Sequence, residues 1–230
     1  MRSMTTTETD YSDIEIRKKL ALRVTDELWQ LYPDAECTLD HIYEPWKLLV
    51  SGILAAQCTD ARVNLITPGL FSRYPTINDL ADADTAELEE IIRSCGFYRV
   101  KASSITRSMQ MLVSDFKGTV PAELEDLLKL PGVGRKIANL VLGDSYGIPG
   151  IVVDTHCARV SGRIGFTDSS DPVRIEKDLV SVIPENRWIG YGHRVVAHGR
   201  ALCKARNPSC DLCSLREYCR KGREEIGAGK

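Results

Sequence analysis

Four of the eight cysteines lie within 17 residues near the C-terminal end of the chain, spaced C-x6-C-x2-C-x5-C. Charged and turn-forming residues separate them, as expected of a loop that folds around a metal rather than of a buried core. The remaining four cysteines are scattered singly, which is typical of a reducing compartment and not of a disulfide scaffold. The clustered set is Cys203, Cys210, Cys213 and Cys219, and the scattered set is Cys37, Cys58, Cys95 and Cys157.

Four thiolates bind either a tetrahedral zinc ion or an iron–sulfur cluster. The x6 and x5 spacings fit the paired C-x2-C knuckles of zinc ribbons poorly. The cysteine pattern therefore favours a cubane [4Fe–4S] cluster, with zinc as the alternative.

A second pattern that could do chemistry is the segment Leu130-Pro131-Gly132-Val133-Gly134-Arg135-Lys136. It predicts the end of one helix, a glycine hairpin anchored by Val133, and the start of another helix. Free N–H groups at such a turn can bind a phosphate, and the two cations favour contact with the DNA backbone. A plain linker between two helices is the alternative.

Lys136 falls in the first turn of the second helix, where the helix dipole disfavours a cation. An amine that is kept partly neutral is what Schiff-base chemistry requires. Simple contact with a phosphate is the alternative role.

Asp154 follows the short apolar run Ile151-Val152-Val153, the one strand-like segment of the sequence, and precedes a predicted helix from Cys157 to Ile164. It can cap that helix and need do nothing more. A carboxylate held in this way can also activate a nucleophile or stabilise a sugar oxocarbenium ion.

Composition is ordinary for a globular protein of 230 residues, with 43% hydrophobic and 27% charged residues. No apolar run approaches the roughly 20 residues of a membrane span, and the polar start, Met1 to Asp13, predicts a frayed tail without a targeting signal. We therefore expect a cytoplasmic protein that is not bound to a membrane.

The charges are distributed unevenly along the chain. Residues 1–90 contain 8 basic and 17 acidic residues, whereas residues 91–230 contain 22 basic and 15 acidic residues. The basic part suggests a surface for a polyanion.

Apolar periodicity predicts an all-α fold of many short helices. Turn residues at Pro33, Pro75, Gly96, Gly118 and Pro131 separate the segments. The predicted helices that precede the hairpin are 14–32, one around 46–54, 61–74, 85–94, 100–116 and 121–128, the last with first-turn signals at Pro121-Ala122-Glu123.

The hairpin with Lys136, the V-D-T-H segment that begins 17 residues after it, the cysteine quartet, and Ala55-Ala56-Gln57-Cys58-Thr59-Asp60 occur in one order along the chain. Together they resemble the endonuclease III family of the helix-hairpin-helix DNA glycosylase superfamily. The resemblance covers about residues 15–222.

The resemblance implies two helical domains with duplex DNA in the cleft between them. A six-helix domain would span 38–148 and contain the helix-hairpin-helix at about 121–142. The iron–sulfur domain would span 149–230, and the N-terminal tail and helix, 1–37, would pack with it.

The resemblance also implies a bifunctional glycosylase and AP lyase that acts on oxidised pyrimidines. Lys136 matches the catalytic lysine and Asp154 the assisting carboxylate, while the four clustered cysteines match the ligands of the [4Fe–4S] cluster. The cluster would order the loop from Lys204 to Pro208, whose cations meet phosphate. The implied DNA-binding residues are Gln57 in the gap left by the extruded nucleotide, Phe97 as the wedge, the hairpin residues Gly132, Val133, Gly134 and Arg135, and Lys204 and Arg206 of the loop.

The chain departs from the family pattern at Leu128, where the family has an acidic residue. The sequence therefore does not define the lesion contacts on that side of the pocket. The alternatives are a monofunctional mismatch glycosylase, a DNA-binding module without activity, and a zinc-containing structural protein. The first generally lacks a lysine at position 136, and the second leaves Asp154 and the Gln57 segment unexplained. We expect a monomer that acts on double-stranded DNA carrying a damaged base or an abasic site, in association with the nucleoid.

Overall fold

A computed structural model of the chain describes residues 13–40 and 43–228, with side chains up to residue 224. The predicted frayed tail lies outside the described residues, apart from Asp13. Asp13 is the N-cap of the first helix, because its carboxylate accepts hydrogen bonds from the backbone N–H groups of Glu15 and Ile16.

The described residues fold into helices joined by short loops, and none of them forms a strand. Ile151-Val152-Val153 is irregular and unpaired, and the predicted all-α class is confirmed. No helix in this part of the chain has the length and apolarity that a membrane crossing requires. The α-helices are α1 (Ile14–Leu31), α2 (Pro45–Leu54), α3 (Asp60–Arg73), α4 (Ile77–Ala81), α5 (Thr85–Ile92), α6 (Tyr98–Asp115), α7 (Leu124–Leu127), α8 (Arg135–Tyr146), α9 (Thr155–Ile164), α10 (Pro172–Val182), α11 (Trp188–Ala201) and α12 (Arg220–Ala228). Short 3₁₀ turns occupy Arg93–Cys95, Glu185–Arg187, Cys210–Leu212 and Ser214–Glu217.

Two helices that precede the hairpin differ from the sequence prediction. The predicted helix 121–128 shrinks to α7, because the chain before it is extended and tied down: Val120 is buried and its carbonyl accepts a 2.6 Å hydrogen bond from the Tyr146 hydroxyl. The first-turn signal at Pro121 to Glu123 is therefore wrong. Helix α4 was not predicted, although Thr76 and Asp79 form a capping box at its start, which is a recognisable signal.

Contacts divide the chain into two compact units. One consists of Cys37–Val152, and the other joins the N-terminal segment up to Glu36 with Val153 onwards. The sequence predicts domain limits after residues 37 and 148. Whether the regions between these limits fold independently stays a prediction.

The unit Cys37–Val152 is built around one apolar core to which α2, α6 and α8 contribute fully buried side chains. Helix α2 lies against α8 and also contacts α3 and α6. Buried apolar positions recur along α2 from Leu48 to Leu54, which is why this helix can be central to the unit.

In the other unit, α1 packs against α10 and α11, and α9 packs against α11 and α12. Tyr32, just after α1, is hydrogen-bonded to Nδ1 of His198 on α11 at 3.1 Å. Arg194 of α11 stacks over the Trp29 ring at 3.9 Å and donates to the Pro33 carbonyl. These contacts attach the N-terminal helix to the helix that leads into the cysteine segment.

Candidate functional site

The glycine hairpin is a tight turn between α7 and α8. Gly132 has φ +78, a left-handed conformation that favours glycine, and a Cβ at this position would lie 2.8 Å from Cβ of Ser104. Gly134 has φ −100 and open space around it, so only the first glycine is required by the backbone. Val133 is 7% exposed and anchors the turn in the core, as predicted from its apolar character.

Two contacts fix the start of α8. The backbone of Gly52 in α2 leaves room for Ile137, since a Cβ on Gly52 would lie 2.9 Å from Cγ2 of Ile137. On the other side of the turn, the Ser108 hydroxyl of α6 donates a 2.8 Å hydrogen bond to the Pro131 carbonyl. The hairpin is thus held by α2 and α6, with Ile137 directed inward.

Lys136, the neighbour of Ile137, has an exposed side chain in the first turn of α8. This turn contains no acidic residue, and Gly134 at the N-cap offers no side-chain acceptor. The first N–H groups of a helix have no intrahelical acceptor. The turn therefore combines a solvent-accessible amine with backbone donors suited to an anion, and half-buried Arg135 lies beside it.

Asp154 is half-buried at the N-cap of α9. Its Oδ1 accepts a 2.7 Å hydrogen bond from the backbone N–H of Cys157, while its Oδ2 has no partner among the described residues. The cap fixes the orientation of the carboxylate and leaves one oxygen for another role.

Gln57 and Phe97 are both exposed and both have a left-handed backbone, with φ of +53 and +47. A positive φ is uncommon outside glycine and stores strain that often marks a functional segment. Phe97 is 66% exposed, so its ring lies outside the apolar core.

Lys101 is a residue that the sequence analysis missed. Its side chain is 5% exposed, and Nζ donates to the carbonyls of Leu54, at 2.8 Å, and Cys95, at 2.7 Å. Leu54 ends α2 three residues before Gln57, and Cys95 lies two residues before Phe97. One ammonium group therefore holds both segments. Its partners are 47 and 6 residues away along the chain, and no local sequence pattern predicts the longer contact.

All four clustered cysteines line one cavity of about 410 Å³, part of it open to solvent. His198 Nε2 is 3.7 Å from the Cys213 sulfur, and Arg163 donates to the Cys203 sulfur at 3.3 Å. Burial raises the pKa of the Cys213 and Cys219 thiols, so thiolates here need a compensating positive centre.

The four cysteines line one cavity without converging on a single point. Four sulfurs that share a zinc ion at about 2.3 Å would converge to roughly 3.8 Å from one another. Among the described residues, however, no group of three or more Cys, His, Asp or Glu side chains is placed to hold a metal ion. Four cysteines around a wider space suit an iron–sulfur cluster, whose thiolate ligands bind separate irons.

Lys204 and Arg206 are exposed on the loop that follows the first cysteine of the quartet. Arg163, at the end of α9, holds this loop by donating to the carbonyls of Lys204, at 2.7 Å, and Ala205, at 2.9 Å. Asn207 in the same loop has φ +49. Arg163 was also missed, although its i, i+4 spacing with Arg159 puts two guanidinium groups on one face of α9.

Two family descriptions match the chain. The HhH-GPD superfamily base excision DNA repair protein family matches residues 50–185, and the iron–sulfur binding domain of endonuclease III matches residues 203–219. The second match begins and ends at the outer cysteines of the quartet. The predicted iron–sulfur cofactor is confirmed.

Curated relatives extend the similarity over most of the chain. Endonuclease III of Synechocystis sp. is 48% identical over 204 residues, which are 88% of this chain and 93% of the relative. Endonuclease III of Bacillus subtilis is 42% identical over 205 residues, 89% of this chain and 93% of the relative.

A solved structure of a trapped endonuclease III–DNA covalent intermediate superimposes with a TM-score of 0.85 at 43% identity, covering 91% of this chain and 98% of that chain. A thermostable thymine-DNA glycosylase superimposes with a TM-score of 0.80 at 20% identity, covering 90% and 98%. The second likeness shows the fold alone.

Proposed function

Because the chain belongs to the endonuclease III family of helix-hairpin-helix base excision DNA repair proteins, we propose that Lys136 forms an imine with the sugar of an oxidised pyrimidine nucleotide. The family makes the protein a DNA glycosylase and AP lyase of base excision repair. The observation that carries the proposal is the 43% identity to a trapped covalent enzyme–DNA intermediate, together with an exposed amine in the first turn of α8.

In the proposed reaction, the Lys136 amine attacks C1′ of the extruded nucleotide and the damaged base leaves. The ring opens to an imine between Nζ and C1′. β-Elimination then removes a proton from C2′ and breaks the bond between C3′ and its oxygen, so that the phosphate leaves and the strand is cut 3′ to the abasic site. The rigid attachment of Ile137 and Val133 supports this role, because it keeps the adjacent amine at the surface.

Asp154 is proposed to assist the departure of the base and to stabilise positive charge on the sugar. The capping bond to Cys157 supports this role, because a carboxylate of fixed orientation needs no reorganisation during the reaction. The iron–sulfur cluster enters no step. When bound, it supplies the bonds that close the cysteine segment, and Arg163 and the cluster together hold the Lys204 to Pro208 loop.

Gln57 is proposed to fill the gap in the duplex, and Phe97 to push into the opposite strand. Both side chains are exposed and both residues have a positive φ. The buried Lys101 donates to the nearby carbonyls of Leu54 and Cys95, which supports this assignment. Extruding a base costs a few kcal/mol, and less for a damaged pair, so a wedge of this kind also selects the lesion.

Gly132, Val133, Gly134 and Arg135 are proposed to bind one stretch of phosphates, and Lys204 and Arg206 another. The partner is double-stranded DNA that carries a damaged base or an abasic site.

We further propose that the protein acts as a monomer in the cytoplasm, in association with the nucleoid. Monofunctional mismatch repair is disfavoured by the presence of Lys136.

The test is borohydride trapping on duplexes that carry thymine glycol, dihydrouracil, uracil, a G·T mismatch or an abasic site. We expect wild type and Lys129→Ala, a second exposed lysine of the same unit, to be trapped on the oxidised pyrimidines, and Lys136→Ala not to be trapped. Undiminished trapping of Lys136→Ala would refute the assignment. Asp154→Asn should retain DNA binding but lose turnover by about 10²- to 10⁴-fold, the contribution of a positioned acid or base.

A further inference from the structure

Lys101 is a buried lysine that the proposed reaction does not use. Its side chain is 5% exposed, and burial lowers the pKa of its ammonium group. A lysine is rarely buried to this extent unless its ammonium group is paired. The hydrogen bonds that Lys101 forms must therefore offset the free energy cost of burying it.

The ammonium group of Lys101 caps the ends of two helical segments. Nζ donates to the carbonyl of Leu54, the last residue of α2, at 2.8 Å, and to the carbonyl of Cys95, the last residue of a 3₁₀ turn, at 2.7 Å. Carbonyls at the end of a helix lack an intrahelical donor, and the helix dipole favours a cation there. One nitrogen atom therefore joins two segments that are far apart in sequence.

Both capped ends lead directly into the proposed DNA-probing residues. Gln57 follows Leu54 by three residues, and Phe97 follows Cys95 by two. Both probing residues have a left-handed backbone, with φ of +53 and +47. Such a conformation persists only where the surrounding structure enforces it. The hydrogen bonds of Lys101 fix the chain immediately before each of these turns.

Lys101 also holds Phe97 through its own backbone. The N–H of Lys101 donates a 3.0 Å hydrogen bond to the Phe97 carbonyl, in the first turn of α6. The side chain and the backbone of one residue thus hold the chain just before the wedge position and at it. A displacement of the Phe97 segment would be transmitted through Nζ to the end of α2.

We propose that Lys101 is a positioning residue that holds Gln57 and Phe97 in one arrangement, so that both side chains enter the duplex together when a paired lesion is extruded. This role rests on the proposed function and deepens it. Lys101 acts only through the two backbone segments, because two carbonyls already occupy its buried ammonium group.

The role should depend on how much free energy the extrusion of the nucleotide requires. Unstacking and unpairing a base is costly, and the cost is smallest where a base or its partner is missing. Two probes held in place can offset this cost when the pair opens, whereas loose probes must first be ordered at a cost in conformational entropy. The contribution of Lys101 should therefore be large for a paired lesion and small for an abasic site.

The experiment compares the cluster-containing wild type with Lys101→Met, which fills a similar volume without a donor. Single-turnover incision is measured on three duplexes: dihydrouracil opposite adenine, dihydrouracil opposite a tetrahydrofuran abasic analogue, and a natural abasic site opposite adenine. The rates are normalised to the active fraction of enzyme, which borohydride trapping on the abasic duplex gives. Misfolded protein therefore does not enter the comparison.

Incision at dihydrouracil opposite adenine should fall about 100-fold in Lys101→Met, the effect of displacing a positioning group by about an ångström. Incision of the other two duplexes should fall less than about threefold, because less has to be unpaired. Gln110→Met is the matched control. It also removes from α6 a side-chain donor to a carbonyl, that of Ala81 at 3.0 Å, but Ala81 ends α4 and belongs to neither probing segment. This control should match wild type on all three duplexes.

A second variant serves where Lys101→Met folds poorly. The shorter, uncharged amide of Lys101→Gln can restore one of the two hydrogen bonds, so the ratio of incision at the paired lesion to incision at the abasic site should fall about tenfold. Equal losses on all three duplexes would show that Lys101 only stabilises the fold, and an unchanged rate at the paired lesion would also overturn the proposal. A wild type that incises none of the duplexes would instead count against the proposed function.

Amide hydrogen exchange tests the link between the two segments without DNA. Residues 54–59 and 95–99 should both exchange about tenfold faster or more in Lys101→Met, because each loses a hydrogen bond from a charged donor. Neither segment should change in Gln110→Met. Faster exchange in only one of the two segments would show that Lys101 does not couple them.

Discussion

The hairpin and the cysteine segment carry the two proposed phosphate-binding surfaces, yet they are held in different ways. The hairpin is fixed by packing: Val133 is buried, Gly132 fits against Ser104, and Ile137 fits against Gly52. The loop from Lys204 to Pro208 is held by hydrogen bonds from Arg163 to two of its carbonyls, and the neighbouring cysteines are the proposed ligands of the iron–sulfur cluster. The first surface is therefore anchored in a hydrophobic core, whereas we propose that the second depends on the cofactor and one arginine.

Removal of the cluster should have the largest effect, because it should destabilise the cysteine segment and leave the hairpin unchanged. We expect amide hydrogen exchange in residues 203–219 to rise about 1,000-fold or more, because a bound metal centre contributes much of the local folding free energy. Residues 130–146 should exchange as before. Equal acceleration in both segments, measured by mass spectrometry with and without the cluster, would contradict the distinction.

Gly132→Ala should damage the hairpin. The left-handed backbone costs about 1–2 kcal/mol for a residue with a Cβ, and crowding against Ser104 adds about 1 kcal/mol or more. Gly134→Ala is the matched control, since φ is −100 and nothing lies within 4 Å of the added atom. Urea unfolding measures the free energies, and equal losses in the two variants would show that the turn conformation is not limiting.

Arg163→Ala should weaken DNA binding about tenfold, because the loop loses hydrogen bonds from a charged donor, each worth about 1.5–3 kcal/mol. Arg174→Ala serves as the control: the exposed side chain of this arginine lies in the same unit and forms an ion pair with Asp178, an interaction that contributes little at a protein surface. Fluorescence anisotropy on abasic duplex gives the affinities. An unchanged affinity in Arg163→Ala would mean that the cluster alone orders the loop.

Lys204→Gln and Arg206→Gln should have the smallest effects, a few-fold each. Each should reduce the salt dependence of binding by about one phosphate contact, or a slope change of about 0.9. Lys177→Gln, on α10, should leave the slope unchanged. If the salt dependence of binding stays at the wild-type value in both loop variants, the loop is not part of the DNA interface.

The two surfaces also differ in what could be predicted from the sequence. The hairpin and the quartet are each contiguous, so local rules on glycine turns and thiolate ligands identify them. Lys101 and Arg163 act on residues 47 and 41 positions away, and no short pattern records such a contact. The length of α7 was overestimated for the same reason, because the bond from Tyr146 to Val120 holds the preceding chain extended from 26 residues away.

Helix α6 connects the proposed wedge residue to the glycine hairpin. It begins directly after Phe97, and its Ser104 and Ser108 support the hairpin turn at Gly132 and Pro131. At about 1.5 Å of rise per residue, the seven residues from Phe97 to Ser104 span about 10 Å. The length of this helical segment therefore helps to fix the separation between the proposed wedge and the proposed phosphate-binding turn. An insertion between Phe97 and Ser104 would change that separation.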